Sequence, residues 1–93
     1  MATFIMLTRL TSDGVKTLKD NPTRVQEVNK EVEQLGVKVL HQWVTLGEYD
    51  FVSVVEAADA ETMAKCSIEL GSRGTTTNET MPAIVAEEFT KAL

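Results

Sequence analysis

The chain has 93 residues, and its acidic side chains outnumber Lys and Arg to leave a net charge of −5. A chain this short buries only roughly 60–65% of its unfolded surface, so residues 1–93 are expected to form one domain that gains from self-association. Lys and Arg are scattered with no basic run, which argues against nucleic acid as a partner, because polyanion binding needs a basic face.

No stretch approaches the ~20 apolar residues of a membrane span, and no membrane partner is expected. The opening MATFIMLTRL has no basic n-region or cleavage site, so the expected location is the cytoplasm. Cys66 is the only cysteine and His41 the only histidine, which rules out an intramolecular disulfide and a multi-His metal site within one chain. No metal and no cofactor is expected.

Residues 3–10, TFIMLTRL, read as a first strand. Both of its faces are mostly apolar, so both sides of the sheet should be covered. Thr11-Ser12-Asp13-Gly14 reads as a turn, and Val15 to Lys19 as one helical turn with Val15 and Leu18 inward. Asn21-Pro22 is a helix start signal, Asn as N-cap and Pro at the first helical position. The helix is expected from about Pro22 to Leu35, with Val25, Val28, Val32 and Leu35 on one apolar stripe. Gly36 ends it in the left-handed conformation.

Val37 to Glu56 reads as a hairpin around Leu46-Gly47-Glu48-Tyr49-Asp50, with Gly inside the turn. On its first strand Val37, Val39, His41, Trp43 and Thr45 are expected on one face. Asp59 reads as the N-cap of a second helix, with Glu61 in its first turn. Ala60, Met63, Ala64, Ser67 and Leu70 or Gly71 are its expected inward stripe. Thr75 to Met81 reads as a strand near a sheet edge, ending at Pro82. Ala83 to Leu93 reads as a short helix with Ala86, Phe89 and Leu93 inward.

The order is β-α-β-β-α-β plus a C-terminal helix. Two split βαβ units give an α+β, ferredoxin-like fold: a four-stranded antiparallel sheet with two helices on one face. The other face would be bare in a monomer. Burying it against a second copy gives a dimeric α+β barrel, so the chain itself is the first expected partner, through sheet faces or sheet edges.

The spread of Thr11-x-x-Gly14, Pro22-x-Arg24, Gly36, Gly47-x-Tyr49-Asp50, Glu56, Asp59 and Glu88-Phe89 resembles the GYD domain family, named for the Gly-x-Tyr-Asp turn. The resemblance covers nearly the whole chain and implies the dimeric α+β barrel group. It implies no single activity, because that group includes oxygenases, decarboxylases, isomerases and ligand sensors.

Tyr49 and Asp50 are candidates for a polar pair at the hairpin end, as donor and as acceptor or general base. The preferred reading is structural: Asp50 caps turn N–H groups and Tyr49 packs over it. His41 is a candidate general base on the Trp43 face, though a lone His is more often an interface residue. Arg9, Arg24 and Trp43 are candidate ligand contacts. Either Arg could clamp an anion, but pairing with acids such as Glu27 or Glu56 is the commoner use. Cys66 reads as buried packing.

The leading functional reading is a homo-oligomeric module that binds a small molecule or a protein. The second is a cofactor-independent enzyme acting on a small aromatic or carbonyl compound through His41, Tyr49 and Asp50. The third is a purely structural assembly unit.

Overall fold

A computed structural model describes residues 1–93. Strand β1 (Ala2–Leu10) leads into helices α1 (Ser12–Asp20) and α2 (Arg24–Gln34), then strands β2 (Lys38–Val44) and β3 (Phe51–Ala57). Helix α3 (Ala60–Ser72), strand β4 (Thr76–Ala83) and helix α4 (Ala86–Lys91) complete the chain. The sheet order is β2-β3-β1-β4, with every pairing antiparallel. This is the expected ferredoxin-like α+β plan, with the central strands β1 and β3 each opening a split βαβ unit.

The helices cover one sheet face. Phe4 and Met6 from β1 and Phe51, Val55 and Ala57 from β3 point into it and are buried. Val32 of α2 and Met63 and Cys66 of α3 close over them, together with Val37. The apolar period of α2 is as expected at Val28 and Val32, but Leu35 is exposed beyond its end. On α3 the inward residues are Met63, Cys66 and the half-buried Ser67 and Leu70, while Ala60 and Ala64 face solvent. The stripe is displaced from the expected one, because the helix turns its Cys66 side toward the sheet. Asp59 caps α3 as expected, its Oδ1 accepting the Thr62 N–H at 2.8 Å.

Two helix starts differ from expectation. Thr11-Ser12-Asp13-Gly14 is not a free turn but the N-terminus of α1. Thr11 Oγ1 accepts the Gly14 N–H at 3.2 Å and donates to the Gly74 carbonyl at 2.7 Å. Val15 is exposed, and the inward residue at this end is Gly14, which leaves Leu18 only half-buried. A Cβ on Gly14 would lie 2.1 Å from the Thr75 carbonyl oxygen, so only glycine lets α1 dock here. Asn21 closes α1 rather than opening α2, its N–H donating to the Thr17 carbonyl at 2.9 Å. Thr23, not Asn21, precedes α2, and it makes no side-chain cap.

Strand β2 contains a bulge that the alternation of its residues does not announce. Val39 faces Val55, but His41 faces Val54, so Leu40 is one residue too many. A regular strand would keep His41 and Trp43 on the Val39 face, beneath the helices. The bulge sends them to the opposite, open face instead, and of that row only Val37 and Val39 stay inside. Gly36 and Gly47 both have positive φ, as helix end and hairpin turn require.

Strand β4 is an edge strand, as expected, and Pro82 sits near its end. Helix α4 departs from expectation. Phe89 and Leu93 are exposed, and none of its residues is buried. No wall of the same chain lies beneath it.

Candidate functional site

The open face of the sheet carries two rows that cross all four strands. One runs Trp43, Val52, Leu7, Glu79; the other runs His41, Val54, Ile5, Met81. The rows are apolar through their centre. Trp43 is 52% exposed and Met81 41% exposed, so the face lacks a cover within the chain. His41 stacks on Trp43 with ring centroids 5.6 Å apart and an interplanar angle of 13°.

A charged cluster stands at the hairpin end of this face. The Gly47 turn brings Glu48 and Tyr49 back over β1. The Arg9 guanidinium lies over the Tyr49 ring, 4.4 Å from its centroid. It pairs with Glu48 and, at 3.6 Å, with Glu79 of β4. Tyr49 donates its hydroxyl proton to Glu79 Oε2 at 2.8 Å. That hydrogen bond, then burial and the charge of Glu48, raise the Tyr49 pKa, so the phenol stays a donor at neutral pH. The bond to Glu48 likewise raises Arg9 further above an already high value.

Asp50 faces away from this chemistry. Its Oδ2 accepts the Leu10 N–H at 2.7 Å, while its own N–H donates to the Thr8 carbonyl at 2.8 Å. The expected capping role therefore exists, but it serves the end of β1 rather than the turn. Tyr49 packs on Arg9 rather than over Asp50. Thr45 holds the other side of the loop through its Oγ1 proton, donated to the Tyr49 carbonyl at 2.7 Å.

The three candidate acid–base residues do not converge within one chain. His41 lies on edge strand β2, and Tyr49 reaches β4 at the other edge. No hydrogen bond links His41, Tyr49 or Asp50 to one another.

Arg24 stands on the helix side. It pairs with Glu31 at 2.7 Å and with Glu27 at 3.7 Å, the second of which is the expected partner. Glu31 also holds Arg73, the residue that caps the C-terminus of α3, at 2.6 Å, and Arg73 reaches Glu69 at 3.3 Å. The hydrogen bond from Arg24, then the close contact with the Arg73 guanidinium, hold the Glu31 carboxyl below its ordinary range. The Arg73 Nη1 atom is buried and meets Glu31 as an ion pair out of hydrogen-bond alignment. Burial alone would lower the Arg73 pKa, and the bonds to Glu31 and Glu69 more than offset it, so it is raised.

Glu31, Glu48, Glu79 and Arg73 are not among the sequence candidates. Glu48 sits inside the turn motif, and Glu79 alternates with Thr77 and Met81 on β4, so both could have been placed on the open face. Nothing local points to Glu31 or Arg73, which meet only where α2 passes the C-terminal end of α3. No group of three His, Cys, Asp or Glu is arranged to hold a metal. No helix is long and apolar enough to cross a membrane.

Comparison with known proteins places these features in a wider group. The family model described as the GYD domain matches residues 4–93. A Thermus thermophilus protein named glutamine synthetase and cystathionine beta-lyase binding protein is 52% identical over 85 residues, which are 90% of either chain. Another Thermus thermophilus protein, of known crystal structure, superposes with a TM-score of 0.59 at 25% identity, over 92% of this chain and 96% of that one. A hypothetical protein from Pyrococcus horikoshii gives a TM-score of 0.59 at 21% identity, over 91% and 92% of the two chains. The last likeness is one of fold.

Proposed function

The chain belongs to the GYD domain family, and from that premise we propose that it is a binding module that self-associates through its open sheet face and engages an enzyme as partner. The observation that carries the self-association is the pair of apolar rows, Trp43-Val52-Leu7 and His41-Val54-Ile5-Met81, which nothing in the chain covers. A soluble monomer rarely leaves a contiguous apolar sheet face in water. A second copy related by a two-fold axis would lay the same rows against each other and form an α+β barrel.

Helix α4 supports the same assembly. Ile84, Val85, Phe89 and Leu93 are exposed next to β4, so the C-terminal segment is free to fold onto a second subunit. The enzyme partner rests on the relative that is 52% identical and is named for binding two enzymes. In that reading the sheet face is consumed by self-association, and the loop tip at Leu46, 98% exposed, stays accessible for the partner.

Two measurements test the proposal. Light scattering after gel filtration should find an oligomer at micromolar concentration, and Leu7→Glu should convert it to monomer. Surface plasmon resonance against purified glutamine synthetase and cystathionine β-lyase should detect binding by the wild type. A wild-type monomer would overturn the first half of the proposal, and no binding to either enzyme the second.

A further inference from the structure

On the helix side the covered face divides into two halves. Toward the end of β3, Phe4, Ala57 and Met63 pack into a closed core. Toward the hairpin the same face stays hollow, and a cavity of about 500 Å³ separates the sheet from α1, α2 and α3. That volume falls within the range of small-molecule sites. A domain this small has little core to spare, and an unfilled void forfeits packing.

The cavity floor is polar where a core strand would be apolar. Thr8 and Ser53 are buried there beside Asn78 and Thr76. Thr8 donates to Asn78 Oδ1 at 2.7 Å, and Asn78 donates to Thr76 Oγ1 at 3.1 Å. Gln42 donates to Ser53 Oγ at 3.2 Å and is itself held by Asn29 at 2.8 Å. These bonds use the acceptor side of Ser53 and Thr76, leaving their hydroxyl protons without an acceptor in the chain. The floor therefore offers donors.

The charged lining has one sign. Arg24 and Arg73 are the only ionised side chains of the cavity wall, although the chain as a whole is acidic. Arg24 meets Glu27 and Glu31 through Nη1 alone, so its Nη2 and Nε remain available. The remaining wall is mostly apolar, chiefly Leu18, Val25, Val28 and Phe51.

We propose that this cavity is a binding site for a small amphipathic carboxylate. Arg24 takes the carboxylate, Ser53 and Thr76 donate to a further acceptor oxygen, and the apolar body lies against Leu18, Val25 and Phe51. Glu31 positions both arginines by bridging α2 to α3. The site lies on the opposite side of the sheet from the self-association face, so it stands independently of that assembly.

The experiment is an NMR titration of the 15N-labelled full chain with 3-phenylpropionate, and with the uncharged 3-phenylpropan-1-ol as its matched control. The carboxylate should move the amide signals of Val28, Ser53 and Thr76 saturably. Arg24→Gln should weaken 3-phenylpropionate about tenfold and leave the alcohol unchanged, as loss of one charged hydrogen bond predicts. Ser53→Leu, which fills the floor, should abolish both, while the dispersion of the remaining signals reports that either variant is folded. The proposal is overturned if the two probes bind alike, if Arg24→Gln leaves the carboxylate's affinity intact in a folded protein, or if the shifts fall on Ile5 and Trp43 instead.

Discussion

The Asp50 carboxylate accepts the backbone N–H of Leu10 at 2.7 Å, tying the hairpin turn to the end of the first strand, forty residues away in sequence. The bond explains why Asp follows Tyr in this turn without any appeal to catalysis. A hydrogen bond to a charged acceptor contributes about 1.5–3 kcal/mol. Asp50→Ala should therefore lower stability by about that amount, and in a domain of this size by about 4–8 °C per kcal/mol in thermal unfolding. An unchanged melting temperature would remove Asp50 from the structural account.

Gly14 is the second structural fixture. A Cβ added there would lie 2.1 Å from the Thr75 carbonyl oxygen, so a methyl group has no room. Gly14→Ala should cost about 1–3 kcal/mol in chemical denaturation, the range for overpacking a tight site. The helix propensity of Ala would favour the variant, so a destabilised protein isolates the steric effect.

The Glu31 bridge predicts a pH dependence. Its carboxyl titrates below the ordinary 4.5 in the folded chain, because Arg24 and Arg73 hold the charged form. A depressed folded pKa gives stability that is fully present above the unfolded pKa and lost as pH falls through the folded one. The difference in melting temperature between wild type and Glu31→Gln should thus be constant above about pH 6 and close as the pH drops below about 4. A gap that stays constant into acid would contradict the bridge.

Trp43 reports on the open face. It is the only tryptophan, and half of its surface is exposed in the isolated chain. Under the proposed assembly its fluorescence emission should be blue-shifted at high protein concentration and move red on dilution. Leu7→Glu should show the red-shifted spectrum at every concentration.

Cys66 is 1% exposed, and burial raises its thiol pKa. The thiolate is the reactive species, so the native protein should resist an aromatic disulfide reagent at neutral pH. The reaction should follow global unfolding in denaturant. Rapid modification of the native chain would mean that α3 opens locally.

Much of the framework is legible in the residues because its causes are local. The apolar run of TFIMLTRL, Gly36 and Gly47 at left-handed positions, Asp59 as a cap and Pro82 on an edge strand each depend on a few neighbouring residues. So does the apolar period that puts Val28 and Val32 on the inner face of α2. The two-sided apolar sheet is legible too, since Ile5, Val52 and Val54 are spaced to leave the helix-covered face.

The rest depends on contacts between distant segments. Leu40 becomes a bulge because β2 must match β3, and that choice moves His41 and Trp43 to the open face. Thr11 becomes a helix start because the Gly74 and Thr75 carbonyls accept its hydroxyl and its N–H. That α4 leaves Phe89 half exposed and Leu93 almost wholly exposed is likewise a matter of how the last segment meets the rest of the chain. The cavity and its two arginines exist because α2 and α3 stand apart over Thr8 and Ser53, joined by Glu31. Local sequence sets backbone preference and periodicity. Register, docking and empty space are set by how separate elements fit, and no single stretch of residues encodes that fit.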